Sequence, residues 1–200
     1  DWLPLAVPAG PKARYYGLQP KQLRDAYRTP EEFAVDRHWL NPRRQLSEMK
    51  EACESAGCRL IVAYAPTKAY VMLPPVAERL PAEKVRAFMS LRYRKALPEP
   101  DQFLKELLNR LGARERVVRT WCKRESIPFI RLTGALRDRA MRGVQVYYTY
   151  DQHWTPEGHE VVADRVARFL ADLAADRRAN AGGRGEPHRI AHSRDAAPGR

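Results

Sequence analysis

Serine is scarce in this chain: five in 200 residues, at Ser47, Ser55, Ser90, Ser126 and Ser193. None follows an extended apolar run into a glycine-rich turn, the local geometry that presents a nucleophilic hydroxyl. Cysteine is scarcer still. Cys53, Cys58 and Cys122 are too few and too irregularly spaced for a disulfide framework or a zinc site, so buried or free thiols are expected, with Cys53 and Cys58 able to approach each other. No metal site and no organic cofactor is expected. No apolar run approaches the roughly 18 residues that a membrane span needs, and no charged-then-apolar leader is present. An anchor or export signal would lie upstream of Asp1. A start at Asp1 rather than Met is expected of a processed product or of a fragment of something longer.

Acid is also short. Thirty-six basic residues face 24 acidic ones, a formal charge of +12, which raises the question of an anionic partner. The excess is almost all arginine and is scattered, with no basic stripe interleaved with aromatics. That pattern argues against nucleic-acid binding and for a solvated basic surface. A hydrophobic content of 44% suffices for one ordinary core, and the length favours a single domain over two.

Residues 1–40 open with Pro4, Pro8, Pro11, Pro20 and Pro30, and each proline removes a backbone donor and fixes its φ. This stretch reads as loop or linker. Asn41-Pro42 reads as a helix start, with Leu46, Met49, Ala52 and Cys53 on one face and a stop at Gly57. Arg59 to Tyr64 is short, apolar and β-branched, as a buried parallel strand is. A helical pattern follows from Pro81, with Val85, Phe88 and Met89. Two more helical faces span Asp101 to Arg124 with a break at Gly112. Ile127 to Leu132 reads as a second strand and Val144 to Tyr150 as a strand or an extended approach. Thr155 and Pro156 then supply an N-cap and an N1 proline for a helix lined by Val162, Val166, Phe169, Leu170 and Leu173. Residues 179–200 lack periodicity and read as a disordered tail, which leaves 41–178 as the domain proper.

The chemistry gathers at Asp151-Gln152-His153-Trp154, between the extended segment and the capped helix. A tight bend there lets the carboxylate accept the imidazole Nδ1–H, which fixes the tautomer and leaves Nε2 to take a proton from a serine hydroxyl. Trp154 packs beneath such a loop, and Gly158 permits close backbone approach. The alternative is an Asx turn with a structural histidine. A second Asp-x-His-Trp at Asp36-Arg37-His38-Trp39 has no β-like run before it and no Gly-His after it, so a structural turn is the expectation there. His159 reads as a surface or supporting residue.

The run Tyr150-Asp151-Gln152-His153-Trp154-Thr155-Pro156-Glu157-Gly158-His159 resembles the last sequence block of the SGNH (GDSL-like) hydrolases, and most closely their alginate O-acetyltransferase-like branch. The resemblance extends more weakly over residues 43–173. It implies a three-layer α/β/α fold with a mainly parallel sheet, incomplete at its N-terminus, and Asp151 and His153 as catalytic residues. It suggests a substrate-facing Lys68, just past the end of the expected strand, with a solvated loop cation as the alternative; Trp154 is a candidate substrate contact. The resemblance further implies an ester hydrolase or O-acyltransferase activity on an acylated carbohydrate or similar ester, and export or a periplasmic location. The family's Gly-Asp-Ser turn is not found here, so the pair would serve a serine outside this chain. The alternative is a noncatalytic α/β interaction or carbohydrate-binding module.

Overall fold

Proline and glycine punctuation sets many of the helix boundaries in the computed structural model, which describes residues 1–8 and 13–182. Helix α6 (Pro100–Arg110) begins on its own N1 proline, and α7 (Ala113–Arg124) restarts after the break at Gly112. Gly112 serves packing as well: a Cβ there would sit 2.7 Å from the Tyr70 hydroxyl. Helix α5 (Ala82–Ser90) buries Val85 and Met89 as its 3.6-residue spacing requires.

Among the described residues of the segment 1–40, read as loop or linker, strands and helices form. Strands β1 (Leu3–Val7) and β2 (Arg14–Leu18) pair antiparallel with Leu5 opposite Tyr16. Leu5, Val7, Tyr16 and Leu18 are fully buried. Two short helices follow, α1 (Pro20–Ala26) and α2 (Pro30–Ala34), each with a proline at N1 and a capping box. Proline is compatible with an edge strand and favoured at a first helical turn, so the same prolines that suggest a loop here serve as boundaries.

Helix α3 (Arg37–Ser55) also starts earlier than Asn41-Pro42 suggests. Asp36 is its N-cap, its side chain accepting from His38 N, and Pro42 lies inside the helix. Met49 is 52% exposed, so the apolar stripe expected on α3 is only partly covered. Trp39 carries the packing instead: it joins Phe33, Val118, Trp121, Cys122 and Ile127 in a buried cluster.

The two expected parallel strands form, each shortened to three residues. Strand β3 (Val62–Tyr64) pairs parallel with β4 (Phe129–Arg131), Val62 opposite Phe129. Ile130 is buried, while Ala63 is exposed. Among the described residues each of these strands has one partner, and the β1–β2 hairpin is a separate sheet. The class is α/β, but the broad parallel sheet of a three-layer sandwich is not built from the described residues. A strand keeps ladder geometry only where a neighbour supplies hydrogen bonds, which is why 59–64 and 127–132 contract to their paired centres. Between β3 and α5 lie α4 (Lys68–Met72), capped by Thr67, and a 3₁₀ turn (Pro74–Arg79). After β4 comes α8 (Thr133–Met141).

The last helix, α9 (Pro156–Gly182), starts at the expected proline. Residues up to Val166 belong to one compact unit, and those from Ala167 form a second. In the second, Phe169 and Leu173 are half-buried and Leu170 is 45% exposed, so the apolar stripe read on this helix includes an exposed position. Of the tail expected over 179–200, residues 179–182 are the end of α9, and those from 183 onward lie outside the described residues. No helix among the described residues is long and apolar enough to cross a membrane.

Candidate active site

The loop that carries Asp151 and His153 is built from three sides. From its C-terminal side, Thr155 caps α9: its hydroxyl accepts from Gly158 N at 3.2 Å and donates to the carbonyl of Gln145. Gly158 makes this approach feasible, since a Cβ there would fall 2.2 Å from the Val146 carbonyl oxygen. Tyr147 and Trp154 form an antiparallel bridge, with Tyr148 N donating to His153 O and Thr155 N to Val146 O, both at 3.2 Å. Residues 144–150 are thus an extended approach closed by one bridge rather than a strand.

From its N-terminal side the loop leans on β2. Gly17 N donates to Thr149 O at 2.7 Å, and the Thr149 hydroxyl donates to Tyr15 O at 3.1 Å. Arg14 Nε donates to Gly143 O at 2.9 Å, and the Tyr16 hydroxyl donates to Val144 O at 3.2 Å. A Cβ on Gly17 would lie 3.1 Å from Thr149 O and 2.9 Å from the Trp2 ring. The supporting surface is therefore the hairpin of the proline-rich segment, which a motif-based reading passes over. Tyr16, Gly17 and Leu18 are all buried, and the glycine between two large apolar residues is the signal that marks a close backbone approach there.

From below, the segment after β3 docks onto the loop. The buried Tyr147 hydroxyl donates to Pro66 O at 2.9 Å. The Lys68 ammonium donates to the carbonyls of Tyr148 at 3.1 Å, Thr149 at 2.8 Å and Asp151 at 2.8 Å. The Asp151 loop thus sits against the carboxyl end of β3, the edge where open α/β sheets bind ligands.

At the tip, Asp151 Oδ1 accepts the backbone N–H of His153 at 2.7 Å and also bonds to His153 Nδ1. The backbone N–H of His153 and then its imidazole hold the Asp151 carboxyl below its ordinary value. The imidazole is 84% exposed and the carboxylate 54%, so Nε2 faces solvent with its tautomer set from the other side of the ring. Trp154 is half-buried and meets His159 edge-on, centroids 5.4 Å apart.

Lys68 is placed otherwise than as a substrate-facing cation. It is fully buried, and its three N–H donors are matched by three backbone carbonyls. Its position as the first residue of α4, packed beneath the loop, turns the side chain inward. Burial pushes the ammonium down to about 8, with the Asp151 charge pulling the other way.

A cavity of about 240 Å³ reaches the loop at Gln152, and is lined also by Tyr64 and Thr67 from the end of β3 and by Gln22, Arg110 and Arg114. On two of these residues, Gln22 Nε2 and Arg114 Nε are buried without a hydrogen-bond partner. Of the four described serines, Ser47 and Ser90 bond to the carbonyls one turn back on their own helices, Ser55 ends α3 and Ser126 is a left-handed residue after α7. No hydrogen bond joins any of them to His153. Among the described residues no group of three or more His, Cys, Asp or Glu side chains is arranged to hold a metal ion.

A family model described as an SGNH hydrolase-like domain, acetyltransferase AlgX, matches residues 26–191. The chain belongs to this SGNH hydrolase-like family. Neither a search of curated proteins nor one of solved structures returned a match.

Proposed function

We propose that this chain is the acid/base portion of an ester hydrolase or O-acyltransferase acting on an acylated carbohydrate or similar ester. The observation that carries the reading is the Asp151–His153 side-chain bond on an exposed imidazole, in a chain of the SGNH hydrolase-like family. Asp151 holds the Nδ1–H tautomer and stabilises the imidazolium. His153 Nε2 takes the proton of a serine hydroxyl as that oxygen attacks the ester carbonyl, then returns it to the leaving alcohol. A second alcohol in place of water makes the same chemistry an acyl transfer. The cavity's amides, arginines and Tyr64 suit a hydroxyl-rich ligand. In this reading the nucleophile comes from a segment other than the five serines here, and the β3–β4 pair is one part of a wider parallel sheet in a three-layer fold.

The position of the described serines, none bonded to His153, also supports a second reading: a noncatalytic module that binds carbohydrate in the same cavity. One set of assays separates the two. The chain alone is expected to give no stoichiometric fluorophosphonate labelling and no triad-level turnover of p-nitrophenyl acetate, because a base without a held nucleophile activates only water. A longer reading frame that adds a Gly-Asp-Ser turn is expected to turn over the ester and to lose that activity with His153→Ala. Carbohydrate binding with no turnover by the longer form would establish the module instead.

A further inference from the structure

The carbonyl oxygens of Tyr148, Thr149 and Asp151 converge on one point. Oxygens so gathered repel one another and raise a negative potential, so a backbone adopts this turn only around a positive charge or a set of donors. In this protein the point is occupied by Lys68 Nζ, at 3.1, 2.8 and 2.8 Å. The Trp2 ring closes the opposite side, 5.6 Å from Nζ to its centroid, and Trp2 in turn meets Tyr150 edge-on at 5.3 Å. The charged group whose field reaches the ammonium is the Asp151 carboxylate. The ammonium's donors go to main-chain carbonyls.

We infer that Lys68 is a positioning residue for the Asp151–His153 pair, a built-in cation that organises the turn from Tyr148 to Asp151 and so aims the Asp151 carboxylate at Nδ1. Two of the three oxygens belong to the peptides leading into Asp151, and the third is Asp151's own. Holding that carbonyl fixes the direction of the Asp151 Cα–Cβ bond. The carboxylate then lies where both the backbone N–H and Nδ1 of His153 reach it. The aspartate and histidine are exposed and make few packing contacts that could orient them, so their mutual geometry depends on the backbone beneath. The role concerns the same pair as the proposed function and gains its catalytic meaning from that reading, but the geometry can be measured without turnover.

The tautomer of His153 reports it. An acceptor at Nδ1 selects the Nδ1–H form, and two-bond ¹H–¹⁵N correlations to the non-exchanging ring protons distinguish this form from Nε2–H. In the intact chain the neutral ring of His153, assigned by comparison with His153→Ala, is expected to be mainly the Nδ1–H tautomer. In Lys68→Met that fraction is expected to fall to a minority, while near-UV circular dichroism and the ring signals of His38 stay as in the parent. A merely structural lysine would lower the melting temperature and leave the tautomer alone. Unchanged tautomer in a folded Lys68→Met overturns the inference. Should that variant not fold, the parent itself decides. Loss of one ammonium proton leaves two donors for three carbonyls, so the Nδ1–H fraction is expected to decline as pH rises through about 8. A fraction constant to pH 10.5 overturns the inference. If the tautomer responds as expected but His153→Ala in the longer, serine-containing form keeps full turnover, the positioning stands and the catalytic reading fails.

Discussion

Residues 36–39 and 151–154 carry the same pattern, Asp-x-His-Trp, and begin alike. In each, the carboxylate accepts the backbone N–H two residues on, at 2.7 Å. They then part. At the first copy the chain enters α3 at once, so Asp36 acts as an N-cap, its second oxygen pairs with Arg28, and no side-chain bond to His38 forms. Trp39 turns into the core, 4% exposed, against Phe33 and Trp121. At the second copy the helix waits until Pro156. A residue before proline is biased away from helical dihedrals, so Thr155 ends the bend and the His153 ring folds back onto Asp151. The four-residue motif is thus a hydrogen-bonding turn. Whether it becomes an acid/base pair depends on when the following helix starts and on what else reaches the carboxylate.

The sharpest way to break this contrast is by rate. In a serine-containing form, His153→Ala is expected to lower kcat by about 10² to 10⁴-fold, while His38→Ala leaves kcat within about twofold of the parent. Similar losses from both would remove the distinction.

Packing gives the reverse order. Trp39→Ala is expected to destabilise the chain by about 3 to 5 kcal/mol, as truncation of a core aromatic does, against about 1 to 2 kcal/mol for the half-buried Trp154. Urea unfolding of the two variants measures the difference, and equal midpoints would contradict the assigned burial.

The aspartates are expected to differ less. Asp36→Ala removes a helix cap, a loss of about 0.5 to 2 kcal/mol. Asp151→Ala, at an exposed bend, is expected to stay within about 0.5 kcal/mol of the parent. A larger thermal shift for Asp151→Ala than for Asp36→Ala would show that the loop is part of the stability core.

The smallest effect is on pH. The Asp36 carboxyl is held below its ordinary value first by the His38 N–H and then by Arg28, and that of Asp151 first by the His153 N–H and then by its ring. A carboxyl whose folded pKa lies below its unfolded one, about 3.9, stabilises the fold above that value. The stabilisation is lost as pH falls through the folded pKa. Acid titration of stability is therefore expected to flatten below about pH 4 in either alanine variant. An unaltered acid limb in Asp36→Ala would show that the cap does not sense protonation.

Much of this was legible in the chain itself. Pro100, Gly112 and the Thr155-Pro156 step mark helix ends because a missing N–H, a missing Cβ and a hydroxyl cap act within one turn. The Asp151–His153 bond was legible for the same reason, since it spans two residues. The family could be read from that block. The hairpin was not, because strand pairing between residues 3–7 and 14–18 and their docking onto 143–149 are long-range events that prolines obscure. Nor was the fate of Lys68: a lysine after a strand looks the same whether it reaches solvent or three carbonyls some 80 residues away.

By itself, then, the sequence determined the local terms: which segments turn, which helices start where, and which carboxylate can meet which imidazole. Only the tertiary structure decided that the proline-rich N-terminal segment supports the Asp151 loop from one side, that Lys68 is buried beneath it, and that Trp39 belongs to the core while His153 is exposed. Hydrogen bonds between near neighbours are encoded by spacing. Burial and the convergence of distant carbonyls on one ammonium exist only once the chain has been brought together.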